Sequence, residues 1–81
     1  MSKYGIDIVN EWGDVHSDKM KGVEFFNYIE EAIEWGQKHT HEDDPIACNF
    51  YIFEVKSNNV LYHSFLKNCD PIKNRFEILD L

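Results

Sequence analysis

Residues 27–45 read N-Y-I-E-E-A-I-E-W-G-Q-K-H-T-H-E-D-D-P. Within them Ile29, Ala32, Ile33 and Gly36 recur at i, i+3, i+4 and i+7, the spacing that sets all four on one side of a helix. This stretch is expected to be the chain's one helix. Asn27 is placed to cap its first turn by accepting a backbone N–H, with Glu30 three residues on as a capping-box partner. Pro45 forbids helix beyond it. Glu30, Glu31 and Glu34 project away from the apolar stripe, and Glu42, Asp43 and Asp44 carry the acid past the helix end. Gly36 falls on the stripe, where its cost of about 1 kcal/mol relative to Ala is explained by close approach to a neighbouring layer.

Upstream, Tyr4, Ile6 and Ile8 alternate with Gly5 and Asp7, the period of a strand over residues 4–9 with one face buried. Asn10-Glu11-Trp12-Gly13-Asp14 has the Gly and Asx residues of a tight connection, and residues 15–20 are expected to return antiparallel. Gly22 breaks that segment, and Val23, Phe25 and Phe26 either extend it or begin the helix a turn early.

Downstream, residues 46–55 read I-A-C-N-F-Y-I-F-E-V. Ile46, Cys48, Phe50 and Ile52 share one face of a strand, and Ala47, Tyr51, Phe53 and Val55 the other, so both faces are apolar. That pattern marks a central strand covered on each side, and a single helix covers only one. After Ser57-Asn58-Asn59, residues 60–66 return with Val60, Tyr62 and Leu66 on one side and Leu61, His63 and Phe65 on the other. A turn at 67–71 ends at Pro71, and residues 75–81, with Phe76 and Ile78 alternating with Glu77 and Asp80, fit a last edge strand. Together these elements predict an α+β domain, an antiparallel sheet of four to five strands packed on one helix in the order β-β-α-β-β-β.

With 81 residues there is room for one domain, whose core is marginal at this size. Apolar residues at 43% and aromatics at 15% exclude a disordered chain. No apolar run approaches the roughly 20 residues that cross a bilayer, and Met1-Ser2-Lys3-Tyr4 does not lead into a signal peptide, so the expected location is the cytoplasm. In such a reducing compartment Cys48 and Cys69 are expected as free thiols, and neither belongs to a CxxC pair. The net charge of −7 is one-sided: residues 1–45 hold four bases and eleven acids, residues 46–81 four of each. That argues against direct contact with nucleic acid or an anionic membrane, which need a basic face, and permits a basic protein partner.

Three groups of residues bear on function. The acids of the helix and following loop include Glu30 and Glu34 at i, i+4, about 5–6 Å apart. Carboxylates at such spacing imitate a row of phosphates, and the plain alternative is a solvated face kept acidic for solubility. His39-Thr40-His41-Glu42-Asp43-Asp44 gathers metal-ligand types, but two His at i, i+2 do not share a helix face and no third ligand appears at a metal-site spacing. The third group is aromatic: Phe50, Tyr51, Phe53, Tyr62 and Phe65 on the second hairpin, with Trp12, Tyr28 and Trp35 elsewhere. Either they build a small core from large side chains, or one sheet face, through Tyr51 and Phe53, anchors a partner or a second copy of the chain.

No Gly-rich phosphate loop, G-x-S-x-G elbow or H-E-x-x-H occurs, so neither an enzyme nor a cofactor is expected. In size, charge and a single acidic helix beside an antiparallel sheet, the chain resembles the small acidic inhibitors that phages encode against host defence or nucleic-acid enzymes, including anti-CRISPR and DNA-mimic proteins. The likeness covers the chain as a whole, matches no residue motif and transfers no site. It implies a non-enzymatic protein-binding module whose acids engage a basic, nucleic-acid-binding surface in a host cytoplasm. The alternative is a homodimeric structural or regulatory domain that uses an exposed aromatic sheet face. The partner-binding residues expected on the first reading are Glu30, Glu31, Glu34, Glu42, Asp43, Asp44, Tyr51 and Phe53.

Overall fold

The alternation at the chain's start forms β1 (Tyr4–Val9), and in the computed structural model this strand lies inside the sheet. Residues 2–64 and 74–79 are described. On one side β1 pairs along its whole length with β3 (Asn49–Glu54), from Tyr4 opposite Glu54 to Val9 opposite Asn49. On the other side it pairs with β2 (Glu24–Phe26), Gly5 facing Phe25. β4 (Val60–His63) lies against β3 and completes the antiparallel order β2-β1-β3-β4. β2 and β3 both run against β1, hence parallel to each other, and the helix α1 (Ile29–His39) makes the crossover between them. The domain is therefore α+β, a four-stranded antiparallel sheet with one helix on its first face.

That face is the main core. Ile6 and Ile8 of β1, Phe50 and Ile52 of β3 and Ala32 of α1 are buried together, with Ile29, Ile33, Trp35, Phe26 and Tyr62 packed around them. The helical stripe thus meets the sheet as its spacing predicts. Gly36 is where the two layers touch: a Cβ there would stand 2.7 Å from three atoms of the Phe50 ring, which is itself stacked on Tyr62 at 5.8 Å. Gly36→Ala would gain about 1 kcal/mol of helix propensity and incur about 1–3 kcal/mol of overpacking. The variant is expected to lose stability in a urea titration; a gain would show that the ring retreats.

Several elements differ from expectation. The helix starts at Ile29, with Tyr28 as an extended N-cap that makes no side-chain capping bond, so neither Asn27 nor Glu30 forms a capping box. The pairing of β2 as far as Phe26 holds the chain extended through the cap. Its other end closes at Thr40, so Glu42, Asp43 and Asp44 lie past it as expected: Thr40 Oγ1 donates to the Gly36 carbonyl at 2.7 Å, and His39 Nδ1 to that of Trp35 at 2.8 Å. Residues 15–20 are not a strand. Asn10 Oδ1 accepts the N–H groups of Trp12 and Asp14, Gly13 takes φ +83°, and the chain passes through a 3₁₀ turn, Asp18–Met20. It regains β1 only when the Val23 N–H reaches the Ile6 carbonyl.

In β4, Tyr62 faces Ile52 and Val60 faces Phe53, so Leu61 is the extra residue of a bulge. A bulge reverses the side-chain alternation. Val60 and His63 consequently share the second face, while Tyr62 joins the helix side, in place of the expected division. The last segment forms the short helix α2 (Arg75–Leu79) instead of an edge strand. Asn74 caps it, Oδ1 accepting the Phe76 N–H at 3.0 Å and the main-chain carbonyl that of Glu77. The expected strand end at Phe65 and Leu66, the 67–71 turn and Cys69 lie outside the described residues. Cys48 is half-buried.

Candidate functional site

The second face of the sheet carries Gly5, Asp7 and Val9 from β1, Tyr51 and Phe53 from β3, and Val60 and His63 from β4. Asp7, a residue that simple alternation assigns to solvent, is fully buried. Its partner is Arg75, the chain's single arginine, which arrives from α2 and is 12% exposed. The pair is bidentate, Arg75 Nε donating to Asp7 Oδ2 at 2.8 Å and an Arg75 Nη to Oδ1 at 2.7 Å. The Gly22 N–H also donates to Asp7 Oδ1, where the chain turns through φ +54°. The guanidinium lies over the Phe53 ring, its carbon 3.8 Å from the centroid, and the Phe25 ring meets Phe53 edge-on at 6.4 Å.

Tyr51 stands opposite Asp7 in the β1–β3 register. Its hydroxyl is buried and interacts with Asp7 and Arg75. Burial raises its pKa above the ordinary 10, the Asp7 charge adds to the rise, and Arg75 opposes it. The phenol stays protonated throughout the neutral range. His63, buried beside Tyr51 with ring centroids 5.9 Å apart, has its pKa lowered from 6.5 by desolvation and is kept neutral there.

Tyr51 and Phe53 are therefore not the surface anchors expected of them: they are 0% and 2% exposed. Their face is buried, with the Arg75 guanidinium lying over Phe53 and Asp7, and Val15 packed against the cluster of Val9, Tyr51, Phe53 and Val60. Within the chain, these two rings present no exposed aromatic surface on that face.

No protein-family model, curated protein or solved structure matches this chain.

The acids fall into four groups. Glu34 pairs with Lys38 at 3.0 Å one helical turn away. Asp44 is half-buried and builds the loop, its Oδ1 accepting the N–H groups of Ile46 and Ala47 at 3.0 and 3.1 Å. Asp43 is exposed, with a carboxylate oxygen 3.8 Å from His41 Nδ1. Glu30, Glu31 and Glu42 are exposed and form no ion pair among the described residues. Glu30 and Glu31 occupy the first turn of α1, where the helix dipole favours negative charge. Tyr28, directly before that turn, is 65% exposed. Among the described residues no group of three His, Cys, Asp or Glu converges as a metal site, and His39 is stacked on Trp35 at 3.9 Å.

Sequence reasoning passed over Asp7 and Arg75 as a pair. The signal available was an acid in a strand neighbouring a two-faced apolar strand, in a chain with one arginine. A buried carboxylate needs a cation, and a planar fork of donors suits it best.

Proposed function

We propose that this chain is a non-enzymatic protein-binding module whose exposed acids on α1 and the following loop engage a basic surface of a partner, one that ordinarily holds nucleic acid. The observation that carries the reading is that Glu30, Glu31 and Glu42 stand exposed without a cation among the described residues, in the half of the chain that holds the whole negative excess. Such charges steer association and fix register more than they add affinity. Tyr28 is the aromatic that adjoins them, and it replaces Tyr51 and Phe53 as the anchor. Glu34 and Asp43 contribute to the field, while Asp44 is committed to the loop. The reading accords with a small acidic inhibitor of a nucleic-acid or defence enzyme, of the phage-encoded kind, acting in a host cytoplasm. Among the described residues no helix is long and apolar enough to cross a membrane.

The test uses a partner recovered by affinity capture and then purified. Its association rate with this chain should fall tenfold or more between low and physiological salt. Glu30→Gln, Glu31→Gln and Glu42→Gln together should abolish most of that salt dependence while lowering the melting temperature only modestly, through the lost helix-dipole interaction of Glu30 and Glu31. Association that ignores both salt and the triple substitution would rule the acidic face out.

A further inference from the structure

The pocket around the Arg75 side chain is more specific than an ion pair needs to be. Asp7 offers one oxygen to Nε and the other to an Nη, at 2.8 and 2.7 Å, and the Phe53 ring lies 3.8 Å beneath the guanidinium carbon. The Gly22 N–H holds the carboxylate in place, and the buried Tyr51 hydroxyl, opposite Asp7 in the register, interacts with both Asp7 and Arg75. A planar, delocalised cation with a fork of donors satisfies the carboxylate and the ring at once, whereas an ammonium matches neither geometry. The occupant is delivered by a helix of only five residues. That helix is tied to the β3–β4 turn at its start, by the Arg75 N–H to the Asn58 carbonyl at 2.7 Å and Asn74 Nδ2 to that of Ser57 at 3.1 Å. Its next residue, Phe76, remains half-exposed.

We propose that Asp7, Tyr51 and Phe53 form a guanidinium-binding site that Arg75 fills in cis, and that an arginine side chain of a basic partner takes its place. The inference rests on the basic-partner reading for the owner of the incoming arginine, but not for the selectivity of the pocket. A tethered occupant competes at an effective concentration in the millimolar range. Free arginine therefore displaces it poorly, and an arginine on a partner already held by the acidic helix displaces it well.

Two measurements test this. In the first, Arg75→Ala in the full chain is melted with low-millimolar methylguanidinium or with the same concentration of methylammonium. Methylguanidinium should raise the melting temperature, or restore folding if the variant is unfolded, while methylammonium should not, and the parent chain should respond to neither. Equal responses of the variant to the two cations would overturn the site. In the second, the parent and Arg75→Ala, or Arg75→Lys where the alanine variant is unfolded, are titrated with an arginine-rich peptide and its lysine counterpart. The variant should bind the arginine peptide at least tenfold more tightly than the parent and show no such preference for the lysine peptide. Equal affinity of parent and variant for the arginine peptide would overturn the displacement. Failure of the acidic-face reading would show differently, as the absence of salt dependence for both peptides in both proteins.

Discussion

Arg75→Ala is expected to destabilise the domain by about 3–5 kcal/mol, the range seen when one member of a buried ion pair is removed and the other is left uncompensated. For a chain of this length total stability is roughly 4–12 kcal/mol, so the loss is a large share of the whole. Thermal unfolding should fall by tens of degrees, taking about 4–8 °C per kcal/mol. The effect should be lopsided. Asp7 is fully buried at the middle of β1 and loses its cation when Arg75 is removed, whereas Arg75 is 12% exposed and can swing outward if Asp7 becomes Asn. Asp7→Asn should therefore cost less than Arg75→Ala. The double variant should be more stable than Arg75→Ala alone, because it no longer strands a charge. An alanine variant within about 1 kcal/mol of the parent would mean that the pair contributes as little as an exposed one does.

Gly5→Ala is the second large effect. Gly5 is buried in β1 opposite Phe53, and a Cβ built on it runs into the Cζ and both Cε atoms of that ring. The ring cannot step aside, since the Arg75 guanidinium lies on it at 3.8 Å and Phe25 abuts it edge-on. Alanine would recover about 0.5–1 kcal/mol of backbone entropy in a strand, against overpacking of about 1–3 kcal/mol or more. The clash is deeper than at Gly36, so the upper end of that range is expected and the net loss should be clear in a chemical denaturation curve. A second signature is coupling. Displacing Phe53 also disturbs the seat of Arg75, so Gly5→Ala and Arg75→Ala should add to less than the sum of their separate costs. Full additivity, or a stable Gly5→Ala variant, would place the ring elsewhere.

Where local period and packing agreed, the fold was legible. Tyr4, Ile6 and Ile8 gave β1 to the residue, and the stripe of Ile29, Ala32, Ile33 and Gly36 gave the face of α1 and the reason for its glycine. The two apolar faces of β3 correctly announced a second cover. Legibility ended where the deciding contact was remote. Phe76 and Ile78 fit a two-residue period, but five residues are too few to distinguish a strand from a turn of helix, and the cap from Asn74 decided for helix. The Leu61 bulge, which puts Val60 and His63 on one face, leaves no mark in the sequence. Asp7 looked like the polar side of an alternating strand because its cation stands 68 residues away. The acidic residues of the candidate surface were legible as a group, but their individual commitments, Glu34 to Lys38 and Asp44 to the loop backbone, depend on where the helix ends and how the chain turns after it.

The 68-residue separation of Asp7 and Arg75 also sets a timetable. On the ribosome β1 is made long before the side chain that neutralises its carboxylate. At roughly 5–20 residues per second the wait is roughly 3–14 s, during which β2, α1, β3 and β4 have all been synthesised. By the end of that interval every residue that the helix side of the sheet needs has been made, while the opposite side still surrounds an unanswered negative charge. The newborn chain is thus kept from closing one half of itself until translation has reached its single arginine.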